Sequence, residues 1–148
     1  MAFHFLNCFL LIVPPLLWNF AFTSRLPKQY ASDEGISPSL LHLENMLQIL
    51  VFGFPVLLPL QFGNPLRLTG FMVYAAGLLV YFASWIMQIN FRHSGWSRSA
   101  AGLLAPAYTP LIWFIGIALI GQSWIYFAIS VAFTAVHLRH NVNVFGLH

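Results

Sequence analysis

Residues 100–138, AAGLLAPAYTPLIWFIGIALIGQSWIYFAISVAFTAVHL, decide the fold of this protein. The part from about residue 100 to 120 carries no charge and is long enough to cross a hydrocarbon core, which takes roughly 20 helical residues. Only Gly121, Gln122 and Ser123 separate it from a shorter apolar run at 124–138. Helices joined this tightly must lie antiparallel, so the segment predicts a helical hairpin within a membrane.

Three further apolar runs precede this hairpin, at about residues 2–22, 40–60 and 66–89. The chain is 59% hydrophobic and only 6% charged, whereas about a quarter of the residues of a soluble domain are charged. Backbone groups in lipid must be paired within the segment, which favours helices. We therefore predict an all-α fold, a polytopic membrane helical bundle in which residues 1–148 form a single integral membrane domain with five transmembrane helices.

Several local signals indicate where these helices begin. Ser37-Pro38-Ser39 predicts the start of the second helix, and Gly63-Asn64-Pro65 predicts a tight turn before the third. Serines 94, 97 and 99 are expected to cap the fourth helix. The Pro14-Pro15 pair predicts a kink in the first helix. This first run lacks a positive start and a small-residue cleavage pattern, so we expect it to remain in the mature protein.

The cations predict the orientation of the bundle. With five spans, five of the six Lys and Arg residues fall on one side and Arg67 falls on the other. The positive-inside rule places the five in the cytoplasm, with the N-terminus outside and the C-terminus cytoplasmic, in a bacterial-type inner (plasma) membrane. The basic residues are scattered and form no patch, which argues against a nucleic-acid partner. The five are Arg25, Lys28, Arg92, Arg98 and Arg139.

Glu44 is the only acid within a predicted span, which makes it the first candidate for function. A carboxylate near the start of a helix is also favoured by the helix dipole, so a structural capping role stays open beside a binding or proton-handling role. Asn45 and Gln48 lie nearby, and together these side chains form a polar corner suited to hydrogen-bonding a ligand headgroup.

His137 and His140 are the second candidate, because a spacing of three places them on one face of a helix. Neutral imidazole binds zinc, iron and copper. No carboxylate or cysteine lies beside them in the sequence to complete a ligand shell, so we predict no metal site.

The remaining aromatic and small residues predict packing. Trp85, Trp96 and Trp124 lie near predicted membrane edges and are expected to anchor the helices at the interface. The single cysteine, Cys8, is expected to fill apolar space. Small residues on three of the predicted spans are expected to let helices approach closely; they are Gly70, Gly77, Gly116, Ala128 and Ala132.

The C-terminal half of the chain resembles the isoprenylcysteine carboxyl methyltransferase and phospholipid methyltransferase group. The resemblance lies in Leu104-Ala105-Pro106-Ala107-Tyr108-Thr109-Pro110, the Gly116–Ser123 helix end, and a paired helix ending at Arg139. Pro106 and Tyr108 match the group's motif at the right spacing. The resemblance implies an S-adenosylmethionine-binding fold with a cytoplasmic-side cavity between the fourth and fifth helices.

The chain departs from this pattern where the chemistry needs charge. Leu104 and Ala105 stand where the group has Arg and His, Pro110 replaces a glycine, and His140 follows Arg139 where the group has an acidic pair. Separately, His42-Leu-Glu44-Asn45 is similar to the second helix of the membrane-associated eicosanoid and glutathione metabolism group, without its basic residues.

Two functions follow as expectations. The first is a small membrane protein with a methyltransferase-like, degenerate bundle that binds a lipid or other small hydrophobic ligand in a cytoplasmic-side pocket; whether it is an enzyme stays open. The alternative is a non-catalytic structural or accessory subunit of a larger membrane complex. Membrane lipids are the expected partners, with a homo-oligomer as a further possibility. The ligand-binding candidates are Glu44, Asn45, Gln48, Pro106, Tyr108, His137 and His140.

Overall fold

A computed structural model describes residues 6–147, and the fold is all-α, as predicted. The described residues form seven α-helices, with 3-10 turns at Cys8–Leu11, Thr23–Arg25, Lys28–Ala31 and Phe54–Leu57. The helices are α1 Val13–Phe22, α2 Pro38–Gly53, α3 Pro65–Asn90, α4 Gly95–Arg98, α5 Ala100–Tyr108, α6 Pro110–Gly121 and α7 Trp124–Val144.

Four helical stretches within residues 6–147 are long and apolar enough to cross a membrane, as in an integral membrane protein. The fifth predicted span lies in α7, which does not end at Leu138 but continues through polar residues to Val144. The four stretches are Cys8–Arg25, Pro38–Leu57, Pro65–Asn90 and Ala100–Gly121.

The predicted helix starts are confirmed by side-chain caps. The Ser37 hydroxyl accepts a hydrogen bond from the Leu40 N–H, Asn64 Oδ1 accepts from Arg67 N at 2.9 Å, and Ser99 accepts from Gly102 N at 3.1 Å. The predicted kink in the first helix is wrong. Pro14 and Pro15 instead occupy the first turn of α1, where a missing N–H costs no hydrogen bond. Residues 2–5 of the predicted first span lie outside the described residues.

The fourth predicted span is interrupted at Thr109, between α5 and α6. Pro106 lies inside α5, and its missing N–H leaves the Gly102 carbonyl without its usual helical partner. Gln88 of α3 replaces that bond, because its Nε2 donates to Gly102 O at 2.8 Å and to Ser97 O at 3.2 Å. Gln88 is fully buried, so a side chain of one helix completes the backbone of another.

Helices α3 and α6 pack most closely of all, and glycines make this possible. A Cβ added at Gly77 would lie 2.5 Å from the Trp113 backbone nitrogen, and one at Gly116 would lie 2.5 Å from that of Tyr74. Gly70 meets the Gly116 carbonyl in the same seam. These three glycines confirm the predicted close approach.

The burial of small and aromatic side chains agrees with some of the sequence expectations and contradicts others. Ala128 and Ala132 are exposed, so their predicted role in helix contact is wrong. Trp96 and Trp124 are exposed, whereas Trp85 is only 6% exposed and packs in the core, so its predicted place at the interface is wrong. The core also contains Cys8, which is fully buried, as expected of an apolar filler.

The two ends of the bundle are held together by different contacts. At one end, Cys8 N donates to Leu58 O at 2.8 Å, and Arg67 Nη1 donates to Gln61 Oε1 at 2.5 Å. At the other end the 26–37 loop meets the last turns of α7 and the start of α5, because Tyr30 contacts both Phe145 and Leu103. The candidate site lies toward this second end.

Candidate functional site

Glu44 lies in the second turn of α2 and faces α7. The helix start fixed by Ser37 determines this orientation. Glu44 is 7% exposed, and it is the only buried side chain with a formal charge among residues 6–147. A buried carboxylate is costly unless partners satisfy it, so its neighbours decide what it does.

Two histidines of α7 take one oxygen each of this carboxylate. His137 Nδ1 lies 2.6 Å from Glu44 Oε1, and His140 Nδ1 is paired with Glu44 Oε2. Their spacing of three residues puts both rings on the same helical face, as the sequence indicates. The carboxylate that is missing beside them in the sequence therefore comes from α2. We refer to Glu44, His137 and His140 as the Glu–His cluster.

His140 connects the cluster to the 26–37 loop. Its Nε2 lies 3.3 Å from the Ser32 carbonyl oxygen and 3.6 Å from Asp33 Oδ1, while its Nδ1 faces Glu44. All three neighbours are oxygen acceptors, and a ring with a proton on both nitrogens would donate to both sides. The side chain of Asp33 is 69% exposed, whereas that of His140 is 13% exposed. His140 thus lies between Glu44 and the loop surface.

His137 lies on the cavity side of the cluster, and its side chain is 33% exposed. Its ring stacks on Phe133, with centroids 5.4 Å apart and planes 11° from parallel. In the tautomer with the proton on Nδ1, the ring donates to Glu44 and Nε2 has a free lone pair. His137 also lines the wall of a partly open cavity, so the ring stands between the carboxylate and the cavity.

This cavity has a volume of about 330 Å³ and is bounded by α1, α2, α3, α5, α6, α7 and the 26–37 loop. Aromatic rings make up much of its wall, and several polar side chains interrupt them. The aromatic residues are Tyr30, Phe52, Tyr81, Trp85, Trp113, Phe114 and Phe133, and the polar ones are Asn19, Thr23, Gln48, His137 and Asn141. Such a mixture of apolar surface and few polar groups is typical of small-molecule sites.

Hydrogen-bond donors are left over in this wall. The Tyr81 hydroxyl donates to Asn19 Oδ1 at 2.5 Å, which leaves the Asn19 amide NH₂ as the group of that side chain still able to donate. Trp113 is 2% exposed, and its Nε1 has no hydrogen-bond partner among residues 6–147. This N–H is fully covered by its neighbours, so of these two donors the Asn19 amide is the one that an oxygen atom in the cavity can reach.

Other bonds hold the loop end of the cavity in place. The Tyr30 hydroxyl donates to the Leu103 carbonyl at 2.6 Å, and burial raises the pKa of this phenol. Asn141 Nδ2 donates to the His137 carbonyl at 2.8 Å. The loop is thereby tied to α5, and the last turns of α7 are stiffened beside the Glu–His cluster.

The structure brings together five of the seven predicted site residues. Gln48, Pro106 and His137 line the cavity, and Glu44 and His140 lie behind His137. Asn45 and Tyr108 are exposed. Since each helical residue advances by about 100°, Asn45 turns away from Glu44. Tyr108 likewise turns away from Pro106, and its hydroxyl donates to Ala101 O. The cavity is also wider than predicted, because six helices rather than two enclose it.

Most of the cavity residues were missing from the sequence prediction, among them Asn19, Tyr81 and Trp113. Asn19 is a polar residue in an apolar run, which is a usable signal. Tyr81 and Trp113 carry no such signal, because aromatic residues occur throughout this chain.

The cluster is arranged around a carboxylate rather than around a cation. No group of three or more His, Cys, Asp or Glu side chains suited to a metal ion occurs within the described part of the chain. The Nδ1 atoms of both rings are already held by Glu44.

Comparison with known proteins finds no matching family model, no matching curated protein and no matching solved structure.

Proposed function

We propose that this membrane protein binds a small, uncharged and largely apolar molecule in the central cavity. The observation that carries the proposal is the wall itself, in which seven aromatic side chains lie beside the Asn19 amide and the His137 ring. A ligand with a flat apolar body and one or two oxygen atoms would bury its surface and accept a hydrogen bond from the Asn19 amide.

The charge of the wall argues for an uncharged ligand. None of the residues that line the cavity in the described part of the chain is Lys, Arg, Asp or Glu. S-adenosylmethionine carries a carboxylate and a sulfonium and would find no ionic partners there. The resemblance to the methyltransferase group remains a prediction about the fold, and the ligand that we propose is a lipid-like or aromatic molecule.

For the topology we propose five spans, with the N-terminus outside and the C-terminus in the cytoplasm of a plasma membrane of bacterial type. The packing of α7 along α2, α5 and α6 supports a fifth span, as does its tight turn from α6. Labelling of intact cells tests this, using single cysteines at exposed Gln29 and Gln61 in a background without Cys8. We expect Cys at 61 to react from outside and Cys at 29 only after lysis; the reverse pattern would overturn the orientation.

The ligand proposal is tested by thermal unfolding of the detergent-purified protein with a panel of neutral lipids and aromatic compounds. A ligand at 100 times its Kd adds about 2.7 kcal/mol to the free energy of unfolding. Ala107, which is buried in the cavity wall, supplies the matched variant. Ala107→Phe fills the cavity and should abolish the rise in melting temperature, whereas Ala132→Phe on the exposed face of α7 should keep it.

A milder variant guards against misfolding. Asn19→Leu keeps a side chain of similar volume in the wall and removes the amide donor, so it should reduce but not abolish the response. The proposal fails if no compound raises the melting temperature, or if Ala107→Phe and Ala132→Phe respond alike. A chain that is stable only together with co-purifying subunits would instead support the accessory-subunit alternative.

A further inference from the structure

We propose that the Glu–His cluster exchanges a proton between the cavity and the water at the 26–37 loop, and that the cavity ligand is therefore a neutral weak acid with a phenol-like or enol-like hydroxyl. This inference rests on the proposed cavity ligand and specifies its chemistry. It starts from a continuous series of contacts: the cavity, the His137 ring, the Glu44 carboxylate, the His140 ring and exposed Asp33.

The two rings compete for one negative charge. Glu44 bonds both Nδ1 atoms, and the carboxylate balances a single imidazolium. Two positive rings on one carboxylate would repel each other, so protonation of one ring disfavours protonation of the other. At rest the positive ring is His140, because acceptors face both of its nitrogens.

The step that follows conserves atoms and charge. The ligand O–H bond breaks, and its proton is bound by the lone pair of His137 Nε2. His137 is now the positive ring opposite Glu44, so His140 releases its Nε2 proton to water beside Asp33. Both Nδ1–H bonds to Glu44 stay in place throughout. One proton enters the cluster and one leaves it, and the ligand oxygen becomes an anion.

The cavity is suited to that anion. The Asn19 amide can donate to the oxygen, and the His137 imidazolium lies in the same wall. Hydrogen bonds to a charged acceptor are about twice as strong as neutral ones. Tyr30 and Tyr81 are the other titratable groups of the wall, but their hydroxyl protons are donated to Leu103 O and Asn19 Oδ1. His137 is thus the acceptor for the ligand proton.

Two matched probes test the inference: 2-naphthol, which has an acidic hydroxyl, and 2-methoxynaphthalene, which has the same ring system without it. Thermal unfolding in detergent reports binding. Mass spectrometry of hydrogen–deuterium exchange at the histidine C2 position, at a fixed pH near 7, reports the protonation of each ring separately. We expect both probes to raise the melting temperature, and only 2-naphthol to change the exchange rates of His137 and His140, in opposite senses and by about twofold or more.

Variants test whether Glu44 couples the protonation of His137 to that of His140. In Glu44→Gln, 2-naphthol should change the exchange of His137 alone. In His140→Gln only His137 is left to balance Glu44, so it already carries the positive charge and cannot accept the ligand proton. The stabilisation by 2-naphthol should then fall to that by 2-methoxynaphthalene, and this test does not require Glu44→Gln to fold. Exposed His42 supplies the control, and His42→Gln should behave as the native protein does.

The outcomes separate the two proposals. If neither probe raises the melting temperature, the proposed ligand class is wrong and the proton exchange is rejected with it. If both probes bind but His140 does not respond to 2-naphthol, or responds equally to both probes, cavity binding stands and the proton exchange is overturned. An equal response of His140 in Glu44→Gln would overturn it as well.

Discussion

Two helix pairs hold this bundle together by opposite means. The α3–α6 pair is joined by glycines whose missing side chains let backbone meet backbone, with no charged group in the seam. The α2–α7 pair meets around a carboxylate and two imidazole rings, and the cavity lies beside it. The glycine contact permits one geometry only, whereas the strength of the carboxylate–imidazole contact depends on which groups carry protons. The difference indicates that α3–α6 is the scaffold and α2–α7 is the adjustable pair.

The largest expected effect is on the scaffold. Gly77→Val would place side-chain atoms against the Trp113 backbone, which cannot move aside without displacing α6. Overpacking typically costs about 1–3 kcal/mol and sometimes more, and a backbone neighbour puts this variant at the upper end. The measurement is the melting temperature and monodisperse fraction in detergent. Ala76→Val, on the exposed side of the same helix, should change neither; similar losses in both variants would remove the distinction between the helix pairs.

A smaller loss of stability is expected when Glu44, in the α2–α7 pair, loses its charge. Glu44→Gln keeps the shape but weakens two hydrogen bonds, and bonds to charged groups contribute roughly 1.5–3 kcal/mol. We expect a destabilisation of about 2 kcal/mol in chemical or thermal unfolding. Glu34→Gln in the exposed loop is the control and should have no effect. An unchanged Glu44→Gln protein would mean that packing alone joins α2 to α7.

Replacing His140 should cost more stability than replacing His137. His140 is 13% exposed and faces acceptors with both nitrogens, whereas His137 is 33% exposed and bonds with one. We therefore expect His140→Asn to cost about 1–2 kcal/mol and His137→Asn about half of that. In a double-mutant cycle with Glu44→Gln, the coupling energy should be larger for His140. The opposite ranking would place the charged pair at the cavity instead of at the loop.

The smallest effect concerns the loop that borders the adjustable pair. Burial raises the pKa of Tyr30 above its ordinary value of 10.0. The folded state thus keeps a proton that the unfolded state loses, and the stability from Tyr30 is complete below pH 10 and declines as the pH rises further. Tyr30→Phe should cost about 1 kcal/mol at pH 7 and should lose less stability than the native protein between pH 9 and 11. Melting curves across that range provide the test, and parallel curves for both proteins would contradict it.

The sequence predicts helix starts well and helix partners poorly. Ser37, Asn64 and Ser99 cap helices as expected, because a cap acts on the next three residues. Glu44 and His137 are 93 residues apart, and nothing in either local pattern indicates that they meet. The break between α5 and α6 falls immediately before Pro110, whose missing N–H leaves the Pro106 carbonyl without its usual helical partner. Whether another helix supplies a missing bond, as Gln88 does for Gly102, cannot be identified from a single sequence.

Gln88 and Pro106 have a consequence for how this protein can vary. Gln88→Leu alone would leave the Gly102 carbonyl bare in an apolar interior, whereas Pro106→Ala would supply an N–H that can bond the same oxygen. The double replacement restores an ordinary helical bond to Gly102 O, and only the longer bond to Ser97 O at 3.2 Å is lost. The two positions should therefore show compensatory epistasis, in which Gln88→Leu is more harmful alone than together with Pro106→Ala.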